Sequence, residues 1–201
     1  MKMTSFAVAA LLSLGATLPA MAQNNALSLY GGYRGGGSFE ELNSPFSPLD
    51  LKSSVSGALT LNIAVDGSRQ VQILGSYQST ELEATSTTPT IPLSVGYLHF
   101  GGTNYFQGAI GQGAYVSGGF GVTRLAPDLA GLSSEIYPSL NLALGYQWPI
   151  TGALSFKAEV RGYFTLINSS GAIFCSGGCA VAIKGDGLTQ VEGLLGLSLA
   201  F

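Results

Sequence analysis

Cys175 and Cys179 flank a Ser-Gly-Gly spacer, His99 is the only imidazole in the chain, and Lys157, Glu159 and Arg161 alternate at a spacing of two. Three small residues between two thiols let the chain fold back into disulfide geometry. The spacing is one longer than the C-x-x-C of thiol oxidoreductases, and a metal centre would need more ligands than two sulfurs and a distant imidazole. Residues two apart share one face of a strand, so Lys157, Glu159 and Arg161 form a line of alternating charge if their segment is extended. A His with a serine and a carboxylate would make a hydrolase. His99 is followed by Phe100-Gly101-Gly102-Thr103, with no serine at a neighbouring same-face position. The nearest acids on flanking segments, Glu81 and Glu83, belong at the opposite end. No G-x-S-x-G elbow, phosphate loop or EF-hand occurs in the sequence. The sequence therefore predicts no catalytic residue, cofactor or metal, and it places His99 at a rim or interface near the inner ends of the strands.

The elements that would position these groups come from an unusual composition. The chain has 201 residues, of which 29 are glycine and only 8 basic and 11 acidic. An ordinary soluble domain carries roughly a quarter charged residues, so most of the usual solvated surface is missing. At 46% hydrophobic and 10% aromatic the chain is too apolar to stay disordered. Eight scattered basic residues and a pI near 5 build no phosphate-binding patch, which excludes nucleic acid as a partner. The glycines have no period of three, which excludes a collagen-like chain.

Lys2, the apolar run from Phe6 to Leu18 and the small residues Ala20 and Ala22 read as a secretory signal peptide, residues 1–22, cleaved after Ala22. The run is shorter than the ~20 apolar residues of a spanning helix. Residues 23–201 then form one domain, and no stretch in it approaches 18 consecutive apolar residues. A charge-poor exported chain without helical spans leaves one membrane architecture, a closed β-barrel, because only helices and barrels satisfy the backbone inside a bilayer.

A barrel requires segments of about ten residues alternating with period two. In 54–65 the apolar set is Val55, Gly57, Leu59, Leu61, Ile63 and Val65; in 136–148 it runs from Ile136 through Leu140, Leu142 and Leu144 to Trp148. In 154–167, Leu154, Phe156, Ala158, Val160, Gly162, Phe164 and Leu166 alternate with Ser155, Lys157, Glu159, Arg161, Tyr163 and Thr165. Segments 26–36, 69–82, 112–124 and 189–201 alternate less sharply, with Leu74 out of pattern in the second. Segment 91–106 is apolar on both parities, so its faces stay open. Eight strands result, joined alternately by short turns and by longer loops at 37–50, 83–90, 125–135 and 168–188, the asymmetry of periplasmic turns and extracellular loops. Trp148, Tyr146, Tyr97, Tyr105 and Phe201 fall near the periplasmic ends and Tyr33, Tyr77 and Phe164 near the outer ends, as two aromatic girdles would. A soluble sandwich of eight strands would need polar outward faces, and the charges are too few to make them.

By parity, Arg34, Lys157, Glu159, Arg161 and Glu192 point into the lumen. Eight strands leave an interior just wide enough for side chains to fill, so these charges either pair into a plug or line a path for protons or ions. Cys175 and Cys179 lie in the longest loop, where export favours a disulfide that stiffens it.

The signal peptide, the eight alternating segments and the ending Leu195-Gly196-Leu197-Ser198-Leu199-Ala200-Phe201 resemble the small eight-stranded outer-membrane β-barrel proteins of Gram-negative bacteria. More narrowly, Gly32-Tyr33-Arg34-Gly35-Gly36-Gly37-Ser38-Phe39, Tyr97-Leu98-His99-Phe100-Gly101-Gly102-Thr103 and Phe174-Cys175-Ser176-Gly177-Gly178-Cys179 resemble a proteobacterial branch of them. The resemblance covers the whole mature chain. It implies an antiparallel up-and-down transmembrane barrel in the outer membrane, contact with its lipids, and a terminal Phe201 read by the barrel-assembly machinery; it implies no activity. The function expected is a non-enzymatic structural or surface-interaction role through the extracellular loops, whose ligand the sequence does not name. A narrow channel or carrier for small hydrophobic molecules is the alternative, and a lipid A-modifying hydrolase a distant third.

Overall fold

Segments whose two faces meet different surroundings fold as strands, and here each strand finds partners on both edges. The computed structural model describes residues 24–41, 44–83, 90–129, 132–167, 183–184 and 187–201. Residues 1–22, expected to be a signal peptide, and Cys175 and Cys179 lie outside the described residues. The strands are β1 (Ala26–Gly35), β2 (Ser38–Glu41), β3 (Ser44–Asp50), β4 (Ser54–Ala64), β5 (Arg69–Leu82), β6 (Ile91–Tyr105), β7 (Gly113–Pro127), β8 (Glu135–Pro149), β9 (Leu154–Thr165), β10 (Ile183–Lys184) and β11 (Leu188–Ala200). No helix occurs among the described residues.

Eight strands close a barrel in the order β1-β11-β9-β8-β7-β6-β5-β4, each antiparallel to both neighbours. The seam is formed by the first and last strands, paired from Ala26↔Ala200 to Gly35↔Val191. Closure leaves the barrel no open edge, so the backbone donors and acceptors along its wall pair strand to strand without water. The short strands β2, β3 and β10, drawn from the long loops, make a separate sheet in the order β10-β2-β3. The sequence predicted loops there, because segments this short carry too few residues to show a period.

The parity assignments agree with the wall. On β8, Leu142 is 65% exposed while its neighbour Asn141 is 8% exposed, and the same alternation runs along β4, β5, β9 and β11. The outward set is the apolar one, a surface that lipid covers and water would not. Tyr146, Trp148 and Phe156 cluster on this outer face near the short-turn end, with ring centroids 4.5 and 5.7 Å apart. At the other end Tyr33, Tyr77 and Phe164 also face outward. The Tyr33 hydroxyl donates to Ser53 O at 2.9 Å, and that of Tyr77 shares a 2.9 Å hydrogen bond with Ser94, the polar handle of an interfacial tyrosine.

Two of the predicted girdle residues do not belong to it. Tyr97 and Tyr105 are each 3% exposed and point into the lumen. The cause is the face of β6 that the sequence left open: Ile91, Leu93, Val95, Tyr97, His99, Thr103 and Tyr105 turn inward, while Leu98, Phe100 and Phe106 turn out. Leu74, out of pattern on β5, is likewise buried inside, at 1% exposure. Leu74, Ile91, Leu93, Val95 and Tyr97 join Leu51, Leu82, Leu125, Ile167 and Leu188 in an apolar cluster inside the barrel. Leu51 is held there by backbone hydrogen bonds, its N–H to Gly37 O and the next N–H, of Lys52, to Glu81 O, both 2.9 Å.

Candidate lumenal site

Below the apolar cluster the inward face becomes polar, and the charges selected by parity meet there. Arg34 on β1 and Glu192 on β11 are opposite one another across the seam. Nη2 and Nε of Arg34 donate to Glu192 Oε1 at 2.8 and 3.2 Å, and the hydroxyl of Tyr163 donates to Oε2 at 2.7 Å. Arg34 also donates to Ser76 on β5. Its guanidinium carbon sits 4.7 Å from the Tyr163 ring and 4.9 Å from the Tyr97 ring, and those two rings stack at 4.1 Å. Both members of the pair are fully buried, so ring faces and hydrogen bonds stand in for the water they have lost.

Arg161 faces Glu192 in register but pairs with Glu159 two residues back on its own strand. Its Nε and Nη2 both lie 2.8 Å from Glu159 Oε1, and Tyr115 donates to Oε2 at 2.9 Å. Arg161 also donates to Asn141 on β8, to Ser117 on β7 at 3.3 Å and to Gln72 on β5, across the lumen, at 3.4 Å. Tyr97 on β6 reaches Gln190 on β11 at 2.8 Å in a second crossing. The lumenal charges form two ion-paired centres, Arg34 with Glu192 and Arg161 with Glu159, and Lys157 belongs to neither. Its ammonium rests 4.7 Å from the centroid of Tyr115 and 5.7 Å from that of Tyr30.

His99 is not at a rim. It is 2% exposed inside the barrel, and it has a serine partner that the sequence did not reveal: Nε2 lies 2.7 Å from Ser139 Oγ. Ser139 is two strands away. The residue between them in register is Gly121, paired with His99 on one side and Ser139 on the other. A Cβ at Gly121 would lie 2.7 Å from the imidazole, so the absence of a side chain is what lets the ring cross β7. Asn141 completes a Ser-His-Asn constellation, 2.6 Å from Nδ1. No run of residues signals it, because it depends on the register of three strands.

The direction of the hydrogen bonds decides what this constellation can do. Arg161 has only donors, so the Asn141 atom it binds is the carbonyl Oδ1. The amide therefore turns its NH2 toward His99, and Nδ1 must accept. The proton of a neutral imidazole is then on Nε2, donated to Ser139. A general base needs the reverse, a free Nε2 pair aimed at the hydroxyl and Nδ1–H held by an acceptor. Arg161 thus holds His99 in the tautomer that cannot activate Ser139. Among the described residues no group of three His, Cys, Asp or Glu side chains could hold a metal.

At the short-turn end the lumen opens into a cavity of about 250 Å3 lined by carboxamides, among them Asn24, Asn25, Gln70, Gln112 and Gln147. Its inner limit is a hydrogen bond from the Tyr105 hydroxyl to Gln147 Oε1, 2.5 Å long.

No protein-family model and no curated protein matches the sequence. Solved structures do match in fold. Neisserial surface protein A superimposes with a TM-score of 0.60 at 11% identity, over 90% of this chain and 99% of that one. OprG of Pseudomonas aeruginosa gives 0.51 at 15% identity, over 90% and 97%, and the outer membrane protein AlkL gives 0.50 at 11%, over 92% and 94%. Taken with the apolar outer face and the closed antiparallel wall, these likenesses show that the chain has the fold of the small outer-membrane β-barrels of Gram-negative bacteria.

Proposed function

We propose that this chain is a non-enzymatic outer-membrane barrel whose cross-tied lumen makes it a rigid scaffold for its extracellular loops, in a structural or surface-interaction role. The observation that carries this reading is the set of contacts across the interior, Arg161 to Gln72 and Tyr97 to Gln190, which tie opposite walls together rather than line a bore. The donated Nε2–H of His99 supports the absence of a hydrolase. The reading includes export through a signal peptide of residues 1–22, recognition of Phe201 by the barrel-assembly machinery, and a Cys175–Cys179 disulfide in the loop. Planar-bilayer recording tests it: the purified barrel is silent, and discrete single-channel steps overturn the scaffold reading.

One observation favours a second reading, a carrier for small hydrophobic molecules. The inward faces of Ile91, Leu93, Val95, Leu125 and Leu188 make the outer part of the lumen apolar beneath Leu51. Entry of a hydrophobic fluorophore into proteoliposomes, accelerated by Leu51→Ala, would support it; equal rates with and without protein exclude it.

A further inference from the structure

The lumen carries an uneven set of charges. Among the described residues three cations, Arg34, Lys157 and Arg161, and two carboxylates, Glu159 and Glu192, are buried inside. All four carboxylate oxygens are taken. Glu192 holds Arg34 and Tyr163, and Glu159 holds Arg161 and Tyr115. Lys157 is left with no carboxylate within ion-pair distance among the described residues. Two ring faces attract its charge, yet an ammonium also carries three N–H donors that prefer lone pairs.

A second, independent feature lies beside it. The hydroxyl of Tyr30, a residue 3% exposed and one of the two whose rings flank Lys157, lies beside the lysine ammonium and the Tyr115 hydroxyl but completes a well-formed hydrogen bond with no described residue. Tyr30 lies flat along the wall because its partner across the seam is Gly196, where a Cβ would meet the ring at 2.5 Å. Two more buried atoms without partners, Arg34 Nη1 and Ser56 Oγ, come from the same β1–β4 wall. All these groups are able to donate. A surplus of donors with a surplus positive charge calls for an acceptor that is itself negative.

The route to such a ligand is also present. Gln147 is the register partner of Lys157, and its hydrogen bond with Tyr105 closes the inner end of the carboxamide-lined cavity at the short-turn mouth. Tyr105 and Gln147 therefore stand between the mouth and the lysine.

We propose that Lys157 and Tyr30 form a binding site for a compact monovalent anion of halide size, admitted from the short-turn end past Tyr105 and Gln147. The ammonium supplies charge and N–H donors, the tyrosine hydroxyl supplies the second donor, and the narrow lumen excludes larger anions.

Bromide is the probe, with gluconate at equal ionic strength as the bulky comparison, on the purified mature barrel. Bromide raises the thermal unfolding midpoint saturably where gluconate does not, and crystals grown in bromide show an anomalous peak between Lys157 Nζ and Tyr30 Oη. Lys157→Met abolishes the response. Tyr30→Phe keeps the ring and raises the half-saturating bromide concentration by about tenfold, the size of one lost hydrogen bond to a charged partner. Equal midpoints in the two salts, or a response that survives in Lys157→Met, overturns the proposal in favour of water as the only occupant. If Lys157→Met fails to fold, an unchanged half-saturation in Tyr30→Phe overturns it equally.

Discussion

Glu192 Oε1 lies 2.8 Å from Arg34 Nη2, joining residues 158 positions apart in sequence across the one seam that closes the barrel. Neither side chain is exposed, so the pair forms only when β1 and β11 have met. It gives no assurance of net stability, since the cost of desolvating two ions roughly offsets their attraction. What it does supply is register: a slip of β1 by one residue would turn Arg34 toward lipid and leave Glu192 unpaired in the lumen.

Removing one partner tests this. Glu192→Ala leaves the guanidinium of Arg34 unpaired and deprives Tyr163 of its acceptor, and should destabilise the barrel by about 3–5 kcal/mol. Urea unfolding in lipid vesicles measures it, and the double variant with Arg34→Met should lose less than the sum. Additive losses would mean that the two side chains do not act as a pair.

Glycines inside and outside the wall should respond oppositely. At Gly145 a Cβ would lie 2.3 Å from the Tyr115 ring, which must then leave Glu159 and Lys157. Gly145→Ala is expected to cost about 1–3 kcal/mol by overpacking. Gly75 faces outward with nothing within 4 Å, and its replacement by alanine should stay within about 1 kcal/mol of neutral. Comparable losses at both would remove the distinction between lumen and lipid face.

The tautomer of His99 can be read by 15N NMR. Nε2 should appear protonated and Nδ1 unprotonated, and a fluorophosphonate should leave Ser139 unlabelled. Asn141→Asp offers Nδ1 an acceptor and is expected to move the proton there. A labelled serine in the unmodified protein would reopen the hydrolase reading.

The β4–β5 turn predicts a pH dependence. Asp66 Oδ1 accepts from the backbone N–H groups of Ser68 at 2.9 Å and Arg69 at 2.8 Å, and Oδ2 from Arg69 Nε at 2.6 Å. The Ser68 N–H first, and then the Arg69 side chain, hold the carboxyl well below the usual carboxylate range. A folded-state value below the unfolded one stabilises the turn above the unfolded pKa of about 3.9, and this contribution is lost as pH falls through the folded value. The stability gap between the protein and Asp66→Asn should therefore be present at neutral pH and shrink in acid. A gap independent of pH would remove the carboxylate from the turn's stabilisation. The group is solvent-exposed, so salt should narrow the gap as well.

The loop cysteines are checked with a thiol reagent. The unreduced protein should show no reactive thiol and the reduced protein two; two reactive thiols before reduction would exclude the disulfide.

How much of this was legible in the chain depends on which interactions set each feature. Strand parity needs only the contrast between two solvents, so Leu140, Leu142 and Leu144 against Asn141 and Lys157 against Phe156 already say which side chains face in. That reading left β6 open, because Ile91, Leu93 and Val95 pack in the lumen while Leu98 and Phe100 face outward, and hydrophobicity alone does not separate a protein interior from a bilayer. Tyr97 and Tyr105 were misplaced for the same reason. The alternating pattern, the charge deficit and the barrel were determined by the sequence alone. Which charges pair, that His99 crosses Gly121 to Ser139, and that Lys157 is left over were decided only by the tertiary structure. Those contacts depend on the register and curvature of strands distant in sequence, and no local preference of the chain encodes a register until the barrel has closed.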